Sequence, residues 1–320
     1  MELPPLLRQA VGRALNGQRP ADLAAAAAAL SQRYRRERRD DKLHVATEQD
    51  ALAYLAVRLP ATYAAVRASF AAIKEARGDF APKTALDIGT GPGTALWAAA
   101  DCWPALADVL LIEASPVFRK CGEELAREAL LPHAIWRIAD VATDAIDCAP
   151  RDLVTLAYAL NEIAPEVRQP LLQRLWQATA DTLVIIEPGT PAGWQRIVAA
   201  RAWLVEAGAH VLAPCPHAHA CPLQPPDWCH FAERVARSRL HRLAKEAELA
   251  WEDEKFSYVA VSRHPASASA ARVIARPRKR SGRVTLKLCR PGGSAGEQLF
   301  SRRDGTVFKR AWRSDWGSAL

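Results

Sequence analysis

The sequence contains no uninterrupted apolar run long enough to cross a bilayer, although 50% of its 320 residues are hydrophobic. The alanine-rich stretch at residues 21–30 is too short for a transmembrane helix. The first residues also lack the basic head, apolar segment and small-residue cleavage site of a secretory signal peptide. We therefore predict neither a membrane span nor secretion, and we expect a cytoplasmic protein.

Cysteine is scarce, with seven in the chain, and the odd number disfavours a framework of paired disulfides. Reduced thiols with no disulfide partner are expected. Three of them nevertheless crowd into the stretch "APCPHAHACPLQPPDWCHF", where Cys215, Cys221 and Cys229 lie within fifteen positions. A metal ion or a metal cluster explains such crowding of reduced thiols better than packing does.

Positive charge is concentrated at the C-terminal end. The chain has a formal net charge of +8, and the segment 261–320 alone holds fourteen Lys and Arg against three Asp and Glu. A basic segment of this kind predicts contact with a polyanion, most simply nucleic acid. A solvated face is the alternative, both here and for the arginine-rich run 33–39. The candidate RNA-binding residues are Arg278, Lys279, Arg280 and Arg283.

Three regions follow from the residue patterns along the chain. Residues 1–80 are predicted to be helical, with a kink at Pro60. Residues 81–264 alternate strands with helices and carry a cysteine-rich insertion at about 211–232. After the small-residue linker "PASASAA", residues 265–320 predict a small basic β module with a hairpin signal at Asp304–Gly305.

The alternating region predicts a mostly parallel sheet covered on both faces by helices. Six candidate strands support this prediction, and they are "TALDI", "DVLLIE", "AIWRIA", "DLVTLAYAL", "DTLVIIEP" and "KFSYVAVSR". The segments between them, such as "SPVFRKCGEELAREAL", have helical spacing. The fold class is therefore α/β.

A glycine-rich loop follows the first of these strands in "ALDIGTGPGTALWAAA". Gly89, Gly91 and Gly93 lie between a strand and a helix, where glycine permits a tight turn and close approach of a ligand to the helix N-terminus. Dinucleotide binding is one interpretation. The spacing D-x-G-x-G-x-G, which begins at Asp87, resembles motif I of S-adenosylmethionine-dependent methyltransferases and favours that cofactor.

Two further acidic residues end the second and third strands. Glu113 lies 24 residues beyond Gly89, where a carboxylate accepts hydrogen bonds from ribose hydroxyls. Asp140 stands where methyltransferases of this class commonly place an acid near the adenine amine. A carboxylate that caps the following turn is the alternative for each. Together with the loop they predict a nucleoside site.

Asn161 and Glu162 follow the fourth strand in "AYALNEIAP". Ligands of open α/β sheets bind beyond the carboxyl ends of the strands, so these two residues are candidates for the methyl-acceptor pocket and for catalysis. The segment does not match the Asn/Asp-Pro-Pro-Tyr/Phe signature of amino-group methyltransferases. No catalytic group is therefore assigned beyond these candidates.

The spacing of Cys215, Cys221 and Cys229 is too open for a zinc knuckle built on paired CxxC turns. Iron–sulfur clusters take four thiolates, and Cys289, the one cysteine of the basic module, is the natural fourth ligand. Zinc is the rival, since four thiolates also suit it. In that case a histidine could replace one thiolate, and the candidates are His217, His219 and His230.

The chain resembles the mitochondrial small-subunit ribosome-assembly family of methyltransferase-like proteins and its bacterial relatives. The matching blocks include "LDIGTGPGTALWAA", "IIEPGTPAGW", "PCPHAHACPLQPPDWCHF", "RVTLKLCRPGG" and "KRAWRSDWG". The resemblance implies a Rossmann-like class I methyltransferase sheet, S-adenosylmethionine binding and association with the small ribosomal subunit or its rRNA. It also implies a 4Fe–4S cluster on Cys215, Cys221, Cys229 and Cys289.

The function expected from these observations is that of an S-adenosylmethionine-dependent methyltransferase-like, iron–sulfur protein that acts on the small ribosomal subunit during assembly. The alternative is a non-catalytic RNA-binding assembly factor that retains the cofactor fold, with zinc in place of the cluster. The missing signature after the fourth strand favours the alternative.

Overall fold

The computed structural model describes residues 1–35, 43–127, 129, 131–245, 247–265 and 270–320. Most of the arginine-rich run 33–39 and of the linker 265–271 falls outside these residues, so the interpretations placed on them stay predictions. Within the described residues, no helix is long and apolar enough to cross a membrane. The boundaries drawn at residues 80 and 264 also stay predictions.

Four helices open the chain, as the alanine-rich composition predicts: α1 (Pro5–Ala14), α2 (Pro20–Arg35), α3 (Glu48–Val57) and α4 (Leu59–Ala76). The expected kink is a break at Arg58, which separates α3 from α4. Pro60 occupies the first turn of α4, where its missing N–H costs no helical hydrogen bond. Thr47 and Asp50 cap the start of α3 reciprocally.

The central region alternates strands and helices. In chain order its elements are β1 (Thr84–Ile88), α5 (Thr94–Cys102), β2 (Asp108–Glu113), α6 (Pro116–Ala126), β3 (His133–Ile138), β4 (Arg151–Ala157), α7 (Pro165–Gln177), β5 (Thr179–Pro188), α8 (Pro191–Glu206), β6 (His210–Ala213), β7 (Phe231–Ala236), α9 (Arg239–Ala244) and β8 (Trp251–Ser262). All six strands expected from the sequence are present. The short strands β6 and β7 were not predicted.

The strands form one mixed sheet in the order β3-β2-β1-β4-β5-β8-β6, with β7 paired to β8. The first five strands are parallel and have the order of a doubly wound Rossmann sheet, whereas β8 runs antiparallel to both β5 and β6. This is the Rossmann-like methyltransferase fold with a mixed central sheet, and the predicted fold class is confirmed.

Each face of the sheet has its own apolar core. On one face α4 and α5 contribute Phe70 and Trp97, and on the other α7 and α8 contribute Trp176 and Leu204. Burial on both faces explains why β5 reads as a continuous apolar run rather than an alternating one. The sheet is thereby fixed from both sides, so the carboxyl ends of its parallel strands present their loops at one well-defined edge.

The C-terminal region forms a second sheet of four short strands followed by a helix. Its elements are β9 (Arg272–Val273), β10 (Arg278–Arg280), β11 (Arg283–Cys289), β12 (Ala295–Ser301), a single 3-10 turn (Arg302–Asp304) and α10 (Gly305–Arg313). The side chains of β11 alternate, so that Val284 and Leu286 face a small core with Phe300. The basic module is thus built on strands.

The hairpin predicted at Asp304–Gly305 is wrong. Asp304 accepts hydrogen bonds from the backbone and hydroxyl of Ser301 and so caps the turn that leads into α10. The helix forms because Phe308 and Ala311 recur at helical spacing and pack on the small core. The hairpins of this sheet instead join β10 to β11 and β11 to β12, and in the second the backbone N–H of Arg290 donates to the carbonyl of Ser294.

Candidate cofactor and cysteine sites

The glycine loop connects β1 to α5 at the carboxyl edge of the sheet. Gly89, Gly91 and Gly93 have φ values of +61°, +56° and +81°, which other residues adopt only with strain. A Cβ atom on Gly89 would lie 3.0 Å from that of Ala159, so the loop also needs glycine there for its close approach to the loop after β4. The sequence requirement and the observed conformation therefore agree.

Glu113 ends β2 beside this loop and is buried, with 8% of its surface exposed. Its Oε2 accepts a hydrogen bond of 2.7 Å from the N–H of Gly91, and its Oε1 accepts one of 2.8 Å from the N–H of Ser115. Burial raises the pKa of the carboxyl, and these two N–H groups oppose the rise. Since a carboxylate offers about four acceptor positions, Glu113 can still receive ligand hydroxyls.

Asp87 lies behind the loop. It is 4% exposed and accepts hydrogen bonds from the hydroxyl of Thr90, at 2.5 Å, and from the hydroxyl of Thr155 on β4. Burial raises its pKa to about 6, against the opposing effect of the two hydroxyls. Its role in this geometry is to hold the glycine loop against β4, as expected for the acid that opens the motif.

A cavity of about 1880 Å³ opens at the same edge of the sheet. The predicted residues that line it are Gly89, Gly91, Glu113, Asp140, Asn161 and Glu162. Asp87 and Gly93 are not among the lining residues and support the loop from behind. Pockets for drug-sized ligands are usually about 300–1,000 Å³, so this cavity has room for a nucleoside cofactor and a second molecule.

Asp140 is exposed at the cavity and accepts a hydrogen bond of 2.9 Å from the N–H of Ala142. Its own N–H donates to Oδ2 of Asp144 at 2.9 Å. Both of these hydrogen bonds lie within the turn that follows β3, so Asp140 caps that turn. Its position at the wall of the cavity also leaves one carboxylate oxygen available to a ligand amine.

Glu162 lines the cavity, and its side chain is exposed to the solvent inside it. Desolvation first, then the charges of Glu113 and Glu187, raise its pKa to about 8. Asn161, next to it, is 3% exposed. The loop that carries both is fixed by Glu187 at the end of β5, which accepts from the N–H of Leu160 at 3.1 Å.

Tyr158 is a site residue that the sequence interpretation missed. Among the described residues, it is the one non-glycine residue with a positive φ, +58°, a strained conformation for a bulky side chain. Its hydroxyl donates to Oε1 of Glu254 at 3.0 Å, and Arg58 lies 3.5 Å from the same oxygen. All three residues line the cavity. No motif marks them, because they come from three distant segments of the chain.

The N-terminal helices also contribute to this cavity, which the sequence did not indicate. Alanines of α2 line one side, together with Tyr34, whose ring stacks on His44 at 4.9 Å. Tyr54 of α3 and Phe118 of α6 lie edge to face with centroids 4.9 Å apart at the same wall. The N-terminal helices therefore cover the carboxyl edge of the sheet and do not form a separate domain.

A second cavity is lined by all four predicted metal-ligating cysteines, Cys215, Cys221, Cys229 and Cys289. Cys289 is buried and the other three are half-buried. Burial raises the pKa values of Cys215, Cys229 and Cys289, and the neighbouring thiols of the set raise them further. The structure therefore brings together cysteines separated by up to 74 positions in the sequence.

The surroundings of these thiols are largely apolar, with Trp194, Leu223 and Ile274 packed around them. Of the three candidate histidines, His217 alone lines the cavity, with Nε2 3.4 Å from Sγ of Cys289. Within the described part of the chain, no three His, Cys, Asp or Glu side chains converge as a single-ion site. The cavity that these residues line has a volume of about 40 Å³, room for only a few atoms.

Several interactions besides the cysteines hold the insertion against the C-terminal module. Lys287 on β11 forms a short ion pair with Asp227. A Cβ atom on Gly293 would lie 3.1 Å from the ring of His219, so the β11–β12 turn packs tightly on the cysteine loop. The ring of His230 meets that of Trp316 with centroids 4.8 Å apart. The two segments are therefore docked by an ion pair, a close glycine approach and aromatic packing.

The candidate RNA-binding residues lie together on the edge strand β10 and at the start of the neighbouring β11, and all four are exposed. Arg278 pairs across the strands with Glu297 at 2.6 Å, and Lys279 lies 3.8 Å from Asp315. Arg280 and Arg283 occupy paired positions at the β10–β11 turn. The arrangement is a continuous basic edge that is partly neutralised by two surface carboxylates.

The sheet order, the glycine loop and the carboxylate at the end of β2 define a protein of the methyltransferase fold class. A family model described as "Mitochondrial small ribosomal subunit Rsm22" matches residues 48–320. The chain belongs to the Rsm22 family, which confirms the family that the sequence blocks indicated.

Curated relatives agree with this assignment. The human "Ribosome assembly protein METTL17, mitochondrial" is 30% identical over 86% of this chain and 63% of its own length. The "Rsm22-cox11 tandem protein 2, mitochondrial" of Schizosaccharomyces pombe is 22% identical over 87% of this chain and 44% of its own length. The chain thus spans less than two thirds of the length of these relatives. Both names place the relatives in mitochondria, and the expected cytoplasmic location stays a prediction.

Solved structures with a similar fold include two bacterial methyltransferases. Magnesium protoporphyrin IX methyltransferase from Synechocystis PCC 6803, solved with bound SAM, is 15% identical with a TM-score of 0.43, over 73% of this chain and 91% of that one. The precorrin-6y C5,15-methyltransferase from Geobacter metallireducens is 13% identical with a TM-score of 0.41, over 61% of this chain and 86% of that one.

Proposed function

We propose that this chain binds S-adenosylmethionine in the large cavity and acts on the small ribosomal subunit or its rRNA during assembly. The geometry of Glu113 carries the first half of the proposal. Its carboxylate fixes the glycine loop through Gly91 and still faces the cavity where a ribose would lie. Membership of the Rsm22 family supports the second half.

The residues around the cavity have distinct roles in this proposal. Gly89 and Gly91, which line the cavity, would let the methionine portion approach the loop closely because they carry no side chain. Glu113 would bind the ribose hydroxyls, and Asp140 would accept from the adenine amine. The cofactor, when bound, would supply an electrophilic methyl group. Asn161, Glu162 and Tyr158 also line the cavity, and we assign them to the methyl acceptor.

We further propose that Cys215, Cys221, Cys229 and Cys289 hold a 4Fe–4S cluster that joins the cysteine-rich insertion to the basic module. The donor set fits such a group, because four thiolates are what this cluster takes and all four line one apolar cavity. Its role would be structural, since it connects two segments whose relative position shapes the basic edge. Zinc is the alternative ion, since four thiolates also suit it.

Methyl transfer to purified small subunits from labelled S-adenosylmethionine tests the enzymatic proposal. We expect incorporation with the wild type and none with Gly91→Arg, whose side chain would project from a strained position into the cavity. The matched control is Glu123→Arg, which places an arginine at an exposed position of α6. Incorporation by Gly91→Arg at the wild-type rate would contradict the assignment of the cofactor site.

A non-catalytic assembly factor that retains the cofactor fold is the second candidate. One observation favours it: the segment after β4, which carries Asn161 and Glu162, does not match the Asn/Asp-Pro-Pro-Tyr/Phe signature of amino-group methyltransferases. In that case the protein binds S-adenosylmethionine and supports subunit assembly in cells, while no labelled methyl group reaches the subunit. Assembly measured with a variant that binds the cofactor but transfers no methyl group distinguishes the two candidates.

A further inference from the structure

Arg201 of α8 is buried beside the four cysteines. It is 4% exposed and lines their cavity. Its Nη2 donates a hydrogen bond of 2.6 Å to the carbonyl of His217, within the cysteine loop. Its Nε is buried with no hydrogen-bond partner among the residues that the structure describes. A buried guanidinium is costly unless an anion accompanies it.

Other buried arginines of this chain have a carboxylate partner. Arg196, on the same helix, pairs with Glu187 at 2.5 Å, and Arg272 pairs with Glu75 at 3.1 Å. For Arg201, no carboxylate of the described residues lies within ion-pair distance. The charge that balances Arg201 must therefore come from another kind of group.

Arg201 lines the same cavity as the four thiols, and its side chain is hydrogen-bonded to that of Cys215. Cysteines that ligate a metal do so as thiolates, so a centre with four of them has a net negative charge despite the metal. Neutral thiols would leave the guanidinium without an anion, whereas a metal–thiolate centre would supply one at the place where Arg201 ends. The burial of Arg201 is thus explained by an anionic centre and unexplained by four free thiols.

We propose that Arg201 is the counter-charge of a metal–thiolate centre on the four cysteines, and that its charge sets how firmly the centre is retained and how easily it is reduced. The proposal rests on the four-cysteine site proposed above. Arg201 is a positioning residue, since it acts through the cysteines and the His217 carbonyl. A fixed positive charge stabilises the more negative, reduced state of a cluster and so raises its reduction potential.

Two substitutions in the full chain, purified without oxygen, separate the effect of the positive charge of Arg201 from that of its hydrogen bond to the His217 carbonyl. Both substitutions shorten the side chain and weaken the hydrogen bond to the His217 carbonyl, but Arg201→Gln removes the positive charge whereas Arg201→Lys retains it. We expect Arg201→Gln to lose iron to a chelator about tenfold faster or more, as for other groups that support metal ligands. Its midpoint potential should move to more negative values. Arg201→Lys should stay near the wild type, as should the exposed control Arg8→Gln.

The outcomes for the two proposals are distinct. The iron, sulfide and zinc contents of the wild type decide whether the centre is a cluster or a single ion. If it is zinc, the rate of zinc loss replaces that of iron, and faster loss from Arg201→Gln than from Arg201→Lys still supports the role of Arg201. Equal rates for these two variants, or a wild-type rate and potential in Arg201→Gln, would overturn it. Wild-type protein without any metal would overturn both proposals.

Discussion

The carboxylate of Glu113 accepts a hydrogen bond of 2.7 Å from the backbone N–H of Gly91, which links the end of β2 to the glycine loop. Gly91 has a φ of +56°, so this N–H points at the carboxylate only in a left-handed conformation. The second oxygen accepts from Ser115 at the start of α6. One buried side chain thus fixes both loops at this edge of the cavity.

Glu113→Ala should weaken S-adenosylmethionine binding by about tenfold or more. The substitution removes both a ribose acceptor and the anchor of the loop, and hydrogen bonds to charged groups contribute about 1.5–3 kcal/mol each. Titration calorimetry with S-adenosylmethionine and its demethylated product measures the effect. Glu123→Ala on the exposed face of α6 is the control. Heat with NAD but with neither of these ligands would place the protein in a different binding class.

The pH dependence of stability should report on Asp87. Its pKa is about 6 in the folded chain and near 3.8 when unfolded, so between these values the folded state binds more protons. Stability therefore falls as pH rises from 4 to 7, by up to about 3 kcal/mol for a shift of this size. Asp87→Asn should lack this part of the decline. Urea unfolding of both proteins at pH 4.5, 5.5 and 7 measures it, and parallel curves would refute the assignment.

Tyr158 and Glu254 should be energetically coupled. The 3.0 Å hydrogen bond between them is enclosed at the cavity wall, so Tyr158→Phe should lower the free energy of unfolding by about 1 kcal/mol. A double-mutant cycle with Glu254→Gln isolates the pair, and neighbours in one network usually show coupling of about 0.5–3 kcal/mol. Additive effects would show that the hydroxyl does not depend on Glu254. Tyr63→Phe, whose hydroxyl bonds to Asp101, serves as the comparison.

Local signals in the sequence predicted most of the central fold. The apolar strand "TALDI" is followed directly by three closely spaced glycines, and this local pattern predicts both β1 and the turn after it. The interactions of Tyr158 with Glu254 and Arg58 join residues up to 196 positions apart, and no local pattern encodes them. Asp304–Gly305 was misread because the dipeptide signals a turn equally well before a helix and between strands.

The basic edge should bind RNA through its charges. Replacing Arg278, Lys279, Arg280 and Arg283 with Ala should weaken binding to small-subunit rRNA and flatten its salt dependence, by about 0.7–0.9 in slope for each phosphate that the protein no longer neutralises. Because Arg278 and Lys279 already have carboxylate neighbours, we expect the change to be smaller than that for four phosphates. Filter binding over a series of salt concentrations measures the slope.

A control for this experiment uses four exposed basic residues outside the C-terminal module. Alanine at these positions should leave the slope unchanged, and the positions are Arg8, Arg19, Lys120 and Arg127. Equal slopes for the wild type and the β10–β11 variant would identify the edge as a solvated face. Equally weakened binding in the variant and the control would indicate binding through net charge alone.

Cys289→Ser should lose the metal centre, although Cys289 lies 60 residues after the nearest of the other three cysteines. The reason is spatial: Cys289 ends β11 and lines the same cavity. Protein purified without oxygen should be brown, with about four iron atoms per wild-type chain and few in the variant. Cys148→Ser, outside the cavity, should retain them. If Cys289→Ser keeps its metal, the four-cysteine set is wrong, and His217, 3.4 Å from Cys289, becomes the next ligand to test.

Loss of the centre should also loosen the C-terminal module, because metal-binding energy acts as folding energy in a small domain. In Cys289→Ser the module keeps the Lys287–Asp227 ion pair and the packing of Gly293 on His219, but it loses the binding energy of the metal. Hydrogen exchange over β9 to α10 should therefore rise in the variant while exchange over β1 to β5 stays unchanged. Unchanged protection in the module, with the metal absent, would show that the packed side chains suffice and that the centre has no structural role there.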